Sequence, residues 1–453
     1  MRDQPVEESP PVSKKAAPLG GLFHARGAIY AIVALALLVR VATIALDTGY
    51  VPLQDDWDYD RHARSIAAGD GFPDSYYVAD RGPSALRAPG YPYFLAGVYV
   101  VSGDSIDAGR YVNALLGALA VFLLYLVTSR IWGRRIGLIA AVGAAIFPPL
   151  VVLSRDLLSE SLFIVLELGT VLAVLEYRRQ RWLRWAVLAG LLAGLAALTR
   201  NPGPALVLPV LIGLWVQRPR FSWRAAGPPA LALACVVLAI APWTVRNAIE
   251  FGRLIPLTSG TGFALAGTYN EVSRDDERNP GSWRTPRVVP EYTPLFLARG
   301  VDEGTLDATL RSRATSFALA HPLYVAEVSG WNLLRMFELS GGSVVELNGD
   351  LVETRGIGSA DPLVERVALA LAVALALVGL YVLVRRRTWR DGRLVPRGPL
   401  FLWLVPILLI AVSIPVNGLP RQRTPIDPFI LILAAIGLAW LWDRRGVDRV
   451  TAS

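Results

Sequence analysis

Two consecutive stretches decide how this chain is read: "AIYAIVALALLVRVATIAL" (Ala28–Leu46) and "DTGYVPLQDDWDYDRHARSIAAGDGF" (Asp47–Phe72). The first is an apolar run of about the length that crosses a bilayer as a helix. The second places Asp55, Asp56, Asp58 and Asp60 directly behind it. Lys14, Lys15 and Arg26 precede the run, as they would in a signal peptide, but many more apolar runs follow, so it reads as an uncleaved anchor.

The same pattern governs the whole chain. Of 453 residues, 53% are hydrophobic and 18% charged, and the mean hydropathy is +0.43. That balance is too apolar for an ordinary soluble domain and indicates an all-α polytopic membrane protein. The net charge of +8 does not imply a nucleic-acid partner, because the arginines cluster between apolar runs, in "SRIWGRR", "EYRRQRWLR", "QRPRFSWR", "VRRRTWRDGRLVPR" and "DRRGVDR". Such short basic loops belong on the cytoplasmic side of spanning helices. The single Cys235 leaves no intrachain disulfide, and His24, His62 and His321 are too few for a multi-histidine centre. The Arg-rich, Lys-poor usage points to a GC-rich prokaryotic genome, hence to a plasma membrane.

Ten spans are read, at about 28–46, 110–131, 136–152, 159–177, 184–199, 203–217, 228–242, 365–385, 399–415 and 426–442, with nine to twelve as the range. With the N-terminus inside, every Arg-rich loop is cytoplasmic, both termini are cytoplasmic, and segments 47–109 and 243–364 lie outside. Residues 1–27 read as a disordered tail, 28–442 as the transmembrane domain and 443–453 as a second tail. The second outer segment is expected to hold a helix at about 303–321 and an amphipathic piece at Val328–Leu339. The absence of an internal repeat disfavours transporters built on inverted repeats.

On a helical projection, Asp55, Asp58, Tyr59, His62, Ala63, Ile66 and Ala67 share one face. Asp56, Asp60 and Arg64 share another, with Asp60 and Arg64 spaced for an i,i+4 ion pair and Asp60 read as solvated surface. Asp55 has two readings. Periodicity alone favours a helix N-cap; the alternative is a carboxylate held at the membrane surface.

Further charged groups fall on the same side. "RAPGYPYFLAG" carries Arg87 and Tyr91, and "SRDLLSESLF" places Asp156 and Glu160 one helical turn apart. "LTRNPGPA" ends a span on Arg200, "APWTVRNAIEFGRLIP" places Arg246 and Asn247 just past another, and "GLPRQRTPIDPF" puts Arg421 and Arg423 before the last. Each arginine alone reads as interfacial snorkelling. Several of them facing acids suggest a site for an anionic head group, since the guanidinium fork can hold two phosphate oxygens.

Together these stretches resemble the GT-C membrane glycosyltransferases, in particular the PMT-type group, similar to glycosyltransferase family 39, that contains protein O-mannosyltransferases and lipid A aminoarabinose transferases. The matching pieces are Asp55-x-x-x-Tyr59-x-x-x-Ala63 with "AAGDGF", "RAPGYP", "LSES", "GLLAGLAALTR", "PWTVRN", "AHPLYV" and "RQRTPIDPF". The usual Asp-Glu pair is here Asp55-Asp56, and the usual Arg-Pro-Pro is Arg87-Ala88-Pro89. The resemblance implies a GT-C bundle that moves a sugar from a polyprenyl-phosphate donor to a protein, lipid or glycan acceptor on the outer face. Asp55 would be the general base of an inverting displacement. Arg246, Arg421 and Arg423, with Arg200, would hold the phosphate; Asp56, Tyr59, Arg87, Tyr91 and Asn247 would line the substrate site. Asp156 and Glu160 would shape the sugar pocket or hold a cation, with Asp55, Asp56 and Glu160 as candidate ligands for Mg²⁺ or Mn²⁺. Two other classes are carried: a transporter or flippase for a lipid-linked sugar, for which mid-membrane Glu167 and Arg40 are the pointers, and a surface-polysaccharide polymerase.

Overall fold

The computed structural model describes residues 19–75, 78, 82–340, 343–347, 350–354, 362–389 and 391–451. Every apolar run is helical, because a backbone without water partners must satisfy its own hydrogen bonds. The first helix, α1 (Leu19–Leu46), starts before the expected span, so residues 19–27 are helix rather than disordered tail; residues 1–18 lie outside the described residues. Helices α2 (Asp55–Ala68) and α3 (Gly90–Ser102) build the first intervening segment, and α4 (Ile106–Trp132) returns through the bundle. The expected span 136–152 is broken into α5 (Arg134–Ile146) and α6 (Pro148–Leu153), since Pro148 and Pro149 cannot donate into a continuous helix. Then come α7 (Glu160–Gln180), α8 (Leu183–Thr199), α9 (Val207–Leu214) and α10 (Trp223–Phe251). Helix α10 outlasts the expected 228–242 despite Pro228, Pro229 and Pro242, so "PWTVRN" is its last part and not the opening of a loop.

The second intervening segment holds α11 (Gly260–Thr268), α12 (Glu271–Arg274), α13 (Thr293–Leu297), α14 (Glu303–Ala320) and α15 (Pro322–Met336). A short antiparallel hairpin follows, β1 (Ser343–Leu347) with β2 (Asp350–Thr354), inside a fold that is helical as expected. Helices α16 (Pro362–Val384), α17 (Leu400–Ser413) and α18 (Asp427–Thr451) close the fold. Residues 443–451 are thus helix rather than tail. Among the described residues four helices, 27–46, α4, α10 and α16, are long and apolar enough to cross a membrane; α8 and α17 are apolar but shorter.

Small residues bring the helices together. Gly190 and Gly194 of α8 face α10, where a β-carbon on Gly190 would run into the Ala232 backbone. One apolar core runs through the bundle. A second belongs to the helices of the second intervening segment, built from Phe263 and Tyr269 of α11, Leu306 and Leu310 of α14 and Tyr324 and Val328 of α15, so that long segment is a folded unit.

Inside the bundle Arg40 closes the break between α5 and α6. Its guanidinium donates to the Ala144, Ala145 and Leu150 carbonyls and to Ser154 Oγ (2.9 Å), taking up carbonyls that the end of α5 leaves open. That anchors the turn leading to Asp156 and Glu160.

Candidate active site

The site is built where α2 meets the short 3-10 turn Pro420–Arg423 that precedes α18. Gln54, with φ 53°, turns the chain into α2, and Asp55 is its first residue. Asp55 does not serve as the cap; its side chain goes to two guanidiniums instead. Arg87 Nη2 donates to Asp55 Oδ1, Arg421 Nη2 donates to Asp55 Oδ2, and Arg87 Nε donates to Asp58 Oδ2 (2.7 Å). Ser75 Oγ fixes the same Asp58 oxygen (2.8 Å), and the Arg87 guanidinium lies 5.1 Å from the Tyr59 ring centroid. Arg200 pairs with Glu160 and donates to Gln422 Oε1 (2.8 Å), while Tyr59 Oη is 3.2 Å from Ser159 Oγ.

The adjacent acid sits differently. Asp56 accepts the Tyr50 hydroxyl (2.6 Å), Tyr50 accepts in turn from the Leu157 N–H (3.2 Å), and Arg110 stacks 4.1 Å from the Tyr50 ring centroid. Arg155 Nε donates to Asp156 Oδ1 (3.1 Å).

The two carboxyls therefore differ in charge. Burial would raise Asp55, but the Arg421 and Arg87 guanidiniums outweigh it and hold the group well below the usual carboxylate range. Burial and then the Asp156 charge push Asp56 up to about 8, against the pull of the Tyr50 hydrogen bond. Burial also raises Asp156, opposed by Arg155.

Asp55, Asp56, Arg87, Asp156, Arg421 and Gln422 line one end of a cavity of about 710 Å³, within the usual size for a ligand site. Tyr59, Glu160 and Arg200 stand directly behind that wall. The other expected residues are elsewhere engaged. Arg246 donates to the Ser84 carbonyl (2.9 Å) and stacks on Trp243, and Asn247 Nδ2 donates to the Ile255 carbonyl (3.0 Å), folding the chain back after α10. Arg423 is fully buried against Asp427 (2.8 Å) and the Met336 carbonyl (2.7 Å). Tyr91 Oη accepts from Asn113 Nδ2 (2.9 Å) beneath Tyr59. Asp60, expected in solvent, is buried: Tyr99 Oη donates to it (2.5 Å), because α3 covers that side of α2, and the expected Arg64 pair forms at 2.8 Å.

Asp55, Asp56 and Glu160 do not converge as a shared ligand set, since arginines occupy Asp55 and Glu160, and among the described residues no three His, Cys, Asp or Glu side chains gather for a metal. Missed from the sequence were Tyr50, Gln422 and the cavity's far wall, which includes Thr261, Phe263, Trp283, Ser413 and Asn417. Only Gln422, between the two arginines of "RQR", carried a local signal.

Residues 86–245 match the family model for dolichyl-phosphate-mannose-protein mannosyltransferases. Comparison with curated proteins gives no match. The chain is similar in structure to the Archaeoglobus fulgidus oligosaccharyltransferase AglB in complex with an inhibitory peptide and a dolichol-phosphate: TM-score 0.51, 15% identity, 93% of this chain and 51% of that one. It is equally similar to an Archaeoglobus fulgidus oligosaccharyltransferase in complex with zinc and sulfate: TM-score 0.51, 14% identity, 91% and 49%. ArnT from Cupriavidus metallidurans bound to undecaprenyl phosphate aligns over 93% of this chain and 78% of that one at 15% identity, but its TM-score of 0.43 is too low to argue from. The chain spans about half the length of the oligosaccharyltransferases, and identities this low speak for architecture alone. The match over 86–245, the apolar spanning helices and the likeness to the two oligosaccharyltransferase structures agree on the architecture: this is a helical membrane protein whose fold is similar to that of these glycosyl-transferring enzymes.

Proposed function

We propose that the protein is a glycosyltransferase that moves a sugar from a polyprenyl-phosphate donor to an acceptor hydroxyl at the outer face of a prokaryotic plasma membrane, with inversion at the sugar. The observation that carries this reading is the meeting of Asp55 with Arg87 and Arg421 in one cavity, from parts of the chain far apart in sequence. The domain that does this is the bundle of residues 28–442, the carrier tail lying in lipid beside it.

In the step itself the acceptor oxygen bonds to the anomeric carbon as the bond from that carbon to the phosphate oxygen breaks. The leaving electron pair stays on phosphate, beside the arginines, and the acceptor proton passes to Asp55. A carboxylate tied to two guanidiniums is a weak base, since basicity falls with pKa. An entering phosphate competes for the Arg421 and Arg87 forks, and each donor it takes returns basicity to Asp55. Binding of the donor and arming of the base are thereby coupled. Arg200 holds Glu160 and Gln422 against the same wall and supports the pocket from behind. Asp56 is held by Tyr50 and Asp156 by Arg155, so a divalent cation would have to displace these partners; turnover unchanged after dialysis against chelator removes a metal from the reading.

The test is Asp55→Asn in purified, reconstituted protein supplied with polyprenyl-phosphate sugar. Transfer should be lost while the variant elutes as a folded membrane protein, and near-normal transfer overturns the base assignment. Mass spectrometry of a deletion strain, looking for one accumulated carrier-linked sugar, identifies the donor.

A second reading, movement of the lipid-linked sugar, draws on Glu167, whose carboxyl is fully buried in α7 with no hydrogen-bond partner among the described residues. Transport of the lipid across vesicles without a glycosylated product favours it. Arg40, the other pointer to that reading, is fully committed to the α5–α6 break.

A further inference from the structure

The cavity lining is of two chemical kinds, and glycosyl transfer at its carboxylates uses only one. The far wall is formed by α11 together with the outer end of α17 and the turn beyond it, with Thr261, Phe263, Trp283, Ser413 and Asn417 facing the same space as Gln422. Among the described residues it carries no ionised side chain that could hold a phosphate. It offers neutral hydrogen-bonding groups instead. Asn417 Nδ2, Gln422 Nε2 and the hydroxyls of Thr261 and Ser413 donate no hydrogen bond to any partner among the described residues, although Asn417 Oδ1 and Gln422 Oε1 are used.

The indole among them is fixed in place. Trp283 Nε1 donates to the Ala264 carbonyl of α11 (3.1 Å), so its polar edge is spent, and its ring lies 5.8 Å from that of Phe263. It can lie that close because residue 267 is glycine: a β-carbon there would collide with Trp283 Nε1 and with the Arg284 carbonyl. What the fixed indole adds to the cavity lining is apolar ring surface.

We propose that this part of the cavity is a saccharide subsite, in which a neutral sugar ring lies against Trp283 and its hydroxyls meet Asn417, Gln422, Thr261 and Ser413. The inference deepens the glycosyltransferase reading and rests on it for its biological role, but not for the binding itself. A pyranose or furanose presents a C–H face that suits the negative face of an aromatic ring. Its hydroxyls around the rim pair with uncharged amides and hydroxyls, which discriminate strongly against ligands that cannot complete the bonds. Such a ring could come from the sugar on the donor or from a glycan acceptor. The chemistry is the same in both cases and the position in the reaction differs.

Saturation-transfer NMR on the full chain in detergent tests this, with methyl α-D-mannopyranoside, methyl α-D-glucopyranoside and methyl β-D-arabinofuranoside as probes. Wild type should transfer saturation to the ring C–H protons of at least one probe. Trp283→Ala should weaken that binding about tenfold or more, while Trp283→Phe, which keeps an aromatic face, should stay within about threefold. Gly267→Ala, which pushes the indole aside without removing it, should resemble Trp283→Ala. Displacement of the bound glycoside by a polyprenyl-phosphate sugar identifies the subsite as the donor's, and simultaneous binding identifies it as the acceptor's. The proposal is overturned if no probe binds wild type, or if folded Trp283→Ala binds as wild type does. Asp55→Asn should keep the sugar signal, so loss of the catalytic assignment and loss of the subsite are read separately.

Discussion

Asp55 and Asp56 are neighbours in sequence and opposites in environment. One faces two guanidiniums and stays ionised far into acid; the other faces a phenol and a second carboxyl and is pushed up to about 8. A helix turns about 100° between consecutive residues, so adjacent side chains sample different walls of a cavity. Two carboxyls whose environments drive their pKa values apart can serve as a base and as a hydrogen-bond donor at one pH. The pair teaches that a run of acids is no unit of function; each acid takes its chemistry from what packs against it.

The sharpest way to break this comparison is Asp55→Asn, which should cut transfer about 10²- to 10⁴-fold, the usual worth of a positioned base. An assay of labelled polyprenyl-phosphate sugar in proteoliposomes measures it, and a rate within threefold of wild type would place the base elsewhere. Next come the two arginines of "RQR". Arg421→Gln should keep the fold and lower kcat about 10²- to 10³-fold, as loss of one charge-stabilising donor does. Arg423→Gln should instead cost about 3–5 kcal/mol of stability, because it strands Asp427 as a buried unpaired charge. Thermal unfolding and turnover, measured on both, separate the roles; a stable but inactive Arg423→Gln would bring that residue back to the phosphate.

A smaller effect is expected from pH. A carboxyl raised to about 8 keeps its proton through neutrality and loses it above, so kcat/KM should fall on an apparent pKa near 8 that belongs to the Asp56–Asp156 pair. Asp56→Asn should flatten that limb and leave the neutral rate within a few fold; a limb that persists assigns it to another group. The smallest effect lies behind the far wall. Asp307, whose Oδ1 accepts the Gly262 N–H, is raised from 3.8 to about 6, burial being the main cause. A raised acid stabilises the fold fully below its unfolded pKa, and that contribution is lost as pH climbs through about 6. Hydrogen exchange in α11 should therefore speed up between pH 4 and 7 beyond its intrinsic dependence. Asp307→Asn, which can still accept the bond, should remove the excess.

The parts of the site that were legible lay in local patterns. The 3.6-residue period put Asp55, Asp58 and Tyr59 on one face of α2, and the last apolar run, expected from about 426, matches α18, which starts at Asp427. The period could not tell that α3 would cover Asp60, since that depends on where Tyr99 lands. Arg246 and Arg423 carried the same signal as Arg421, an arginine at a helix end, yet one holds the Ser84 carbonyl and the other the end of α15. Trp283, in "NPGSWRTP", had no pattern around it; its place follows from the missing side chain at Gly267 in α11.

By itself the sequence determined the helices, their lipid-matching apolar runs and the grouping of acids and arginines. Those follow from free energies summed along the chain, residue by residue, as each apolar run finds the environment that its own backbone and side chains require. Only the tertiary structure decided which charge meets which. Asp55 and Arg421 are 366 positions apart, and whether they touch depends on how every intervening helix packs. The balance between burial and pairing that makes one acid a carboxylate and its neighbour a carboxylic acid is a property of those contacts, and no stretch of sequence contains it.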